Sequence, residues 1–176
     1  MSSYFWNGFQ HVLVGLVFAA VYGRVARGLY LRRWSFWAGI IFTSGALFFV
    51  PLHIAAFGSL ADWLYQFVHY PLADWDILFL GMSWHRFFLT HSFVIPILVW
   101  AAVLDFKKLH PLVFGMVIGH SSHLFWDAVT SAMSTPVVFW AQWLAIRGTT
   151  AKSWLLVNSA LLFWLALVRA RKQTTF

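Results

Sequence analysis

Residues 119–130 read Gly-His-Ser-Ser-His-Leu-Phe-Trp-Asp-Ala-Val-Thr, which places two histidines and a carboxylate in an otherwise apolar run. On an α-helix, at about 100° per residue, His120, His123 and Asp127 fall within one quadrant of the surface. His123 and Asp127 are spaced i, i+4, so both side chains can reach one ion. Because an unpaired carboxylate is costly at membrane depth, we interpret this helix as one wall of a metal site.

The composition indicates that lipid is the solvent for much of the chain. Of 176 residues, 61% are hydrophobic and 10% are charged, whereas a soluble domain needs roughly 25% charged residues. The net charge is +7, and the basic residues stand at the ends of apolar runs. This distribution fits binding to anionic lipid headgroups better than binding to nucleic acid. The chain has no Cys, so a metal must take His nitrogen and Asp oxygen. The first apolar run lacks a preceding basic segment, so no cleavable signal peptide is expected.

The pattern of apolar runs predicts an all-α fold. We expect residues 1–176 to form a single integral membrane domain, a polytopic helical bundle of about five transmembrane spans plus interfacial helices. Residues 57–84 are predicted to form an interfacial helix followed by a loop, and residues 134–150 a linker with an amphipathic segment over Val137–Ile146. The predicted spans are about His11–Tyr22, Trp34–Ala56, Phe87–Leu104, Pro111–Met133 and Ser153–Val168.

The basic residues predict an orientation. In a five-span bundle the cluster over Arg24–Arg33, Lys107, Lys108 and the basic C-terminus all lie on one side, which the positive-inside rule makes cytoplasmic. The N-terminus is then outside the cell (inner or plasma) membrane and the C-terminus inside. In this topology every candidate metal ligand reaches the outer face. These ligands are His11, Asp74, Asp76, His85, His91, His123 and Asp127.

Four motifs follow one another, and their order suggests a family. They are Gln10-His11, Ala73-Asp74-Trp75-Asp76, the run His-Arg-Phe-Phe-Leu-Thr-His-Ser at 85–92, and the stretch at 119–130. From about residue 10 to 140 the chain resembles the YdjM-like family, described as inner-membrane-associated, metal-dependent hydrolases, with Trp140 at the position of a following Trp. Ile77 stands where that family has a His, so His120 is a candidate extra ligand. A more distant likeness to zinc-dependent phospholipase C and P1-type nucleases implies phosphoester hydrolysis.

The residue types suggest roles for these side chains. Even three His and three Asp of this set exceed what one tetrahedral zinc needs, so one to three divalent ions, zinc by preference or manganese, are expected. A metal lowers the pKa of its water toward ~7 and so supplies hydroxide. Arg86 suits a phosphate oxygen, and Thr90, Ser92 and Ser122 are expected to support the imidazoles. The predicted catalytic residues are Arg86, Asp76 and Thr90.

These patterns favour a membrane-embedded hydrolase that cleaves a phosphoester of a lipid or lipid-linked substrate at the outer face. Two alternatives stay open: a haem-binding electron-transfer protein, because histidines in apolar helices are also axial ligands, and a cation- or proton-coupled transporter. For the His123–Asp127 pair the alternative is a hydrogen bond that joins two helices. The other histidines, His53, His69 and His110, are expected to be interfacial, and Asp62 and Asp105 solvated or capping.

Overall fold

The computed structural model describes residues 3–45, 70–141 and 143–174, and this part of the chain is predominantly helical. The predicted all-α class is thereby confirmed. The expectations for His53, Asp62 and His69, and for the second half of the span Trp34–Ala56, lie outside the described residues. The α-helices within the described residues are α1 (Ser3–Val25), α2 (Trp34–Ser44), α3 (Trp75–Leu80), α4 (Val94–Ala102), α5 (His110–Thr130) and α6 (Gly148–Thr174).

Helix α5 lies at the centre of the bundle and is buried over most of its circumference. It packs against α1, α2, α4 and α6. Gly115 and Gly119 face α2 so closely that a Cβ at Gly115 would meet the carbonyl oxygen of Phe36. The Thr43 hydroxyl lies 2.9 Å from the carbonyl oxygen of Met116, across the same contact. Small residues let two helix backbones approach in this way, and the contact places the last turn of α2 beside His123.

The opposite side of α5 is joined to α6 by a reciprocal pair of hydroxyl bonds. Ser121 Oγ donates to the carbonyl oxygen of Ser159 at 2.8 Å, and Ser159 Oγ donates to the carbonyl oxygen of Ser121 at 2.7 Å. Both serines are buried. Polar bonds between apolar helices favour one register over others, so this pair fixes α6 along α5.

Two helical segments of the described chain are long and apolar enough to cross a membrane, Trp6–Val25 and Gly148–Lys172. Helix α4 has nine residues, or about 13.5 Å at 1.5 Å per residue, which is too short to cross alone. The span expected from Phe87 therefore does not begin there, because residues 87–93 turn back toward Asp76 instead of continuing a helix. The five-span arrangement stays a prediction.

A β-hairpin lies within the stretch that was predicted as a linker with an amphipathic segment. Strand β1 (Val137–Val138) pairs antiparallel with β2 (Ala145–Ile146), as suits the β-branched valines. The hairpin also joins the loop before α4, because Val138 N–H donates to the Arg86 carbonyl at 3.0 Å and Phe88 N–H donates to the Val138 carbonyl at 2.8 Å. It therefore packs directly against the loop that carries several predicted site residues.

Candidate metal centre

The predicted ligands converge at one end of the bundle, around the C-terminal half of α5. They come from four parts of the chain: α1, the turn that leads into α3, the loop between α3 and α4, and α5 itself. Six of them form two groups of three, and within each group one ligand atom per residue lies within 4.8 Å of the others. One group is His11, His123 and Asp127, and the other is Asp74, His85 and His91.

The two groups are joined through two carboxylates and two imidazoles. Asp74 Oδ1 lies 3.6 Å from His91 Nε2 and 3.7 Å from His123 Nε2. Asp127 Oδ2 lies 3.6 Å and 4.0 Å from the same two nitrogens. These separations exceed the 2.7–3.2 Å typical of an N–H···O hydrogen bond. Ligand atoms about 2.0–2.2 Å from one tetrahedral ion stand about 3.3–3.6 Å apart, so the spacing suits shared coordination.

The hydrogen bonds of the rings determine which nitrogen faces the centre. His123 Nδ1 lies 2.6 Å from the carbonyl oxygen of Ser44. A carbonyl can only accept, so Nδ1 carries the proton and a neutral ring keeps its lone pair on Nε2. His91 Nδ1 lies 3.3 Å from Asp76 Oδ2. The Nε2 atoms of both rings are buried without a hydrogen-bond partner among the described residues, and both face the centre.

A bound cation would also balance the buried negative charges of the site. Asp74, Asp76 and Asp127 are buried together with the guanidinium of Arg86, so their carboxylates exceed that guanidinium by two charges, which protonated imidazoles or a bound cation would offset. The desolvation of a buried ion without a compensating charge costs on the order of several kcal/mol. Asp74 Oδ1 and Asp127 Oδ2 are buried without a hydrogen-bond partner in the part of the chain that is described. Imidazole nitrogen and carboxylate oxygen are a donor set that zinc and manganese accept, so these residues fit a divalent cation.

Asp76 lies behind His91 at the start of α3. Its Oδ2 accepts hydrogen bonds from Phe87 N–H at 2.7 Å and from the Thr90 hydroxyl at 2.8 Å. A carboxylate in this position orients the imidazole and increases its basicity toward a metal. Asp76 was predicted both as a ligand and as a catalytic residue, and the structure places its other oxygen, Oδ1, 3.8 Å from His85 Nδ1. Its geometry is that of a positioning residue for His91.

Asp74, just before α3, and Asp76, in its first turn, both favour the ionised form. Burial opposes the charge of Asp76, but the imidazoles of His91 and His85 outweigh it and lower the pKa of the carboxyl group below its usual range. Burial also opposes the charge of Asp74, and the imidazoles of His123, His85 and His91 lower its pKa. Ionised oxygens are the form that ligates a metal.

Arg86 has an unusual backbone conformation and points into the site. Its φ is 68°, in the left-handed region that non-glycine residues seldom adopt, at a cost of order 1 kcal/mol or more. The hydrogen bond from Val138 N–H to its carbonyl and that from Phe87 N–H to Asp76 hold the turn on both sides. Its Nε lies 3.0 Å from Asp127 Oδ2. The turn therefore places a permanent positive charge next to the ligands.

His11 completes the first group from α1. Its ring stacks on that of His123, with centroids 4.3 Å apart, and its Nε2 lies 3.6 Å from Asp127 Oδ1. Gly45, just after α2, packs against the backbone of Gly8 and the Cβ of His11. The close approach of α1 and α2 thus brings His11 to the centre.

Three polar residues that were expected to bind the metal or to support its imidazole ligands make other contacts. His120 belongs to neither ligand group, and its Nε2 lies 3.1 Å from the carbonyl oxygen of Ser92. The Ser122 hydroxyl donates to the Gly119 carbonyl at 2.7 Å within its own helix. The Ser92 hydroxyl donates to the Leu89 carbonyl at 3.2 Å and accepts a hydrogen bond from Val94 N–H at 3.2 Å, so among the described residues its partners are backbone groups and not imidazoles.

Two residues of α6 that were not among the predicted site residues support the site. Trp154 Nε1 donates to the carbonyl oxygen of His91 at 3.1 Å, and Asn158 Oδ1 accepts a hydrogen bond from Phe93 N–H at 3.0 Å. Asn158 is one helical turn after Trp154, and an amide side chain inside a predicted apolar span was a signal that could have identified it.

The comparison with known proteins gave no match, either to a family model, to a curated protein or to a solved structure. The resemblance to the YdjM-like family therefore depends on the ordered motifs alone, and the function has to be argued from the geometry of the site.

Proposed function

We propose that the protein is a membrane-embedded, metal-dependent hydrolase that cleaves a phosphoester of a lipid or lipid-linked substrate. The observation that supports it most directly is the convergence of two imidazole nitrogens and two carboxylate oxygens, from His91, His123, Asp74 and Asp127, at separations of 3.6–4.0 Å. Because the Nδ1 proton of His123 is held by a carbonyl, the lone pair on Nε2 is directed at the point where the oxygens meet. A divalent cation there satisfies all four atoms at once.

The site residues have complementary tasks in this reaction. A bound divalent ion supplies hydroxide at neutral pH by lowering the pKa of a water molecule. Asp76 and Thr90 hold His91 in the orientation that directs Nε2 to the centre. Arg86, whose Nε is 3.0 Å from Asp127, offers a fork of donors that can stabilise the negative charge developing on a phosphoryl group.

The surface around the site supports a substrate that comes from the bilayer. Trp140 is 72% exposed and Trp143 is 85% exposed on the hairpin, which pairs with the backbone of Arg86 and Phe88. Phe79, after the aspartates, is 62% exposed. Aromatic side chains favour the level of the lipid headgroups. We place the site at the outer face of the inner membrane in a five-span bundle. The inner membrane follows from the family resemblance, and the outer face follows from the distribution of basic residues.

The first test measures metal in the purified full-length chain. We expect one to three equivalents of zinc or manganese, and His123→Ala and Asp127→Asn should each remove at least one equivalent, because each deletes a donor to the shared centre. His110→Ala and Asp105→Asn are matched controls at the other end of α5, and both should keep the full metal content. Full metal content in both site variants would contradict the proposal.

The second part of the test separates the hydrolase from its alternatives. Chelator treatment should abolish phosphoester hydrolysis, measured with p-nitrophenyl phosphate and with phospholipid vesicles, and added zinc should restore it. A Soret absorbance band would favour the haem-binding alternative instead. Stoichiometric metal without hydrolysis of either substrate would favour the transporter.

A further inference from the structure

A polar cavity lies at the opposite end of the bundle from the metal centre. It has a volume of ≈ 790 Å³ and is formed between the turn that joins α1 to α2 and the turn that precedes α5. Four cations line it: Arg32, Arg33, Lys107 and Lys108. None of the described residues that line it is acidic. Asp105, the nearest acidic residue in sequence to the two lysines, is exposed and does not line the cavity.

The distance along α5 separates this cavity from the metal centre. Pro111 lies at its wall, and the stretch of helix from Pro111 to Asp127 is about 24 Å at 1.5 Å per residue. The hydrocarbon core of a bilayer is about 30 Å thick. A chain whose metal centre lies near one surface of a membrane therefore presents this cavity near the other surface.

The neighbourhood of the cavity combines positive charge with exposed apolar side chains. Trp34, which contributes to the wall, is 82% exposed, and Leu109 is 41% exposed. Phe106, next to the two lysines, is 61% exposed. Cationic side chains beside a Trp and other apolar residues are typical of a protein surface at the level of lipid headgroups. A water-soluble polyanion would recognise the cations but would leave these apolar side chains in water.

We propose that this cavity binds the headgroup of an anionic phospholipid, with its phosphodiester among the four cations and its acyl chains beside Trp34 and Leu109. Four like charges around one cavity repel each other, and a phosphate that bridges the two turns offsets that repulsion. The two arginines present planar forks that match phosphate oxygens. The cavity shares no residue with the metal centre, so its test is separate from that of the proposed hydrolysis, although its position at a membrane surface rests on the proposed membrane arrangement.

The test compares lipid binding by matched charge variants of the full-length chain. Protein in mixed micelles is exposed to phosphatidylglycerol or phosphatidylcholine at equal concentration, and retained lipid is counted by native mass spectrometry. We expect at least a tenfold preference for phosphatidylglycerol. The variant Arg32→Gln/Lys107→Gln, with one change in each turn, should reduce that preference at least fivefold. The control Arg24→Gln/Arg27→Gln removes the same charge from exposed residues that do not line the cavity. This control should keep the preference for phosphatidylglycerol.

Several outcomes would overturn the proposal. Equal retention of phosphatidylglycerol and phosphatidylcholine would exclude a site for an anionic headgroup. An equal loss of the lipid preference in the cavity variant and in the control variant would show only a general attraction of anionic lipid to the basic end of the bundle. Displacement of phosphatidylglycerol by an equal concentration of inorganic phosphate would show a site for free phosphate. Circular dichroism and gel filtration check that each variant is folded. Should the first variant misfold, Lys107→Gln/Lys108→Gln, which changes two exposed residues of one turn, is expected to give the same loss.

Discussion

Each of the two central imidazoles has one nitrogen engaged on the side away from the centre. His123 Nδ1 meets the Ser44 carbonyl at 2.6 Å, and His91 Nδ1 meets Asp76 Oδ2 at 3.3 Å. These contacts favour the tautomer that leaves Nε2 free of a proton. Because the partner of His123 is a backbone carbonyl, no substitution of a side chain can remove it, whereas the partner of His91 can be changed.

Asp76→Asn is predicted to weaken metal binding without unfolding the protein. An amide can still accept the hydrogen bonds from Phe87 N–H and the Thr90 hydroxyl, but it lacks the charge that increases the basicity of His91. Loss of such a supporting carboxylate typically lowers metal affinity about 10–100-fold. Competition with a chelating dye measures the affinity, and circular dichroism measures the helix content.

Thr90→Val serves as the matched comparison. It removes one hydrogen bond to Asp76 Oδ2 while it keeps the carboxylate and nearly the same volume, so we expect only a few-fold loss of affinity. A smaller effect from Asp76→Asn than from Thr90→Val would show that Asp76 does not act through its charge on His91.

At the scale of elements, the contact between α2 and α5 positions the site. Gly39 of α2 faces the backbone of Leu112, and Gly115 and Gly119 of α5 face the backbone of Phe36 and Ile40. The two helices run in the same direction, so the last turn of α2 ends beside His123. The spacing Gly115-x-x-x-Gly119 is a recognised signal for close packing of helices.

Gly115→Ala is predicted to lower the stability of the bundle. The added methyl group would meet the Phe36 carbonyl, and backbone atoms on both sides cannot move aside cheaply, so we expect a loss of about 1–3 kcal/mol. That loss would occur although alanine favours a helix over glycine by about 1 kcal/mol. The melting temperature in detergent measures the effect.

The control is Gly23→Ala in α1. Its Cβ would meet the end of the flexible Leu31 side chain, which can rotate away, so stability should stay the same or rise slightly with the gain in helix propensity. If Gly115→Ala were as stable as Gly23→Ala, the close packing of α2 on α5 would make no contribution to the stability of the bundle.

For the whole molecule, charge is distributed unevenly between the two ends. Three cations, Arg86, Arg147 and Lys152, lie in the loop, the hairpin and the first turns of α6 at the end of the bundle that carries the metal centre, and the other nine of the twelve lie in the turns and helix ends at the opposite end. A bundle with this asymmetry orients in a membrane with its basic end toward the cytoplasm. We therefore propose that the candidate metal centre opens outward and the proposed lipid cavity inward.

Cysteine labelling tests this orientation in intact cells. The chain has no Cys, so Phe79→Cys and Phe106→Cys each introduce one reactive thiol, at positions that are 62% and 61% exposed at opposite ends. A membrane-impermeant maleimide should label residue 79 in intact cells and residue 106 only after permeabilisation. The reverse labelling pattern would show that the bundle has the opposite orientation. Labelling of both residues from outside would exclude a bundle that spans the membrane.

Several features could be predicted from local sequence because they depend on neighbours along the chain. Apolar runs with helical spacing predicted the helical class, and the i, i+4 pair His123 and Asp127 faces the same side of α5 as expected. The residues with ligand chemistry could also be selected, since few side chains in an apolar chain carry it. Their role as ligands stays a prediction, as do the substrate and the five spans.

Other features depend on contacts between residues that are far apart in sequence. His123 and its carbonyl partner Ser44 are separated by 79 residues, and backbone carbonyls leave no signature in the sequence. The loop before α4 is non-helical because it pairs with a hairpin some fifty residues away and because Asp76 accepts its hydrogen bonds. Residue types and local periodicity therefore determined which groups could bind a cation in this protein. Only the packing of α1, α2, α5 and the hairpin decided which nitrogen and oxygen atoms face one another, because hydrogen-bond geometry between distant segments exists only once the chain is folded.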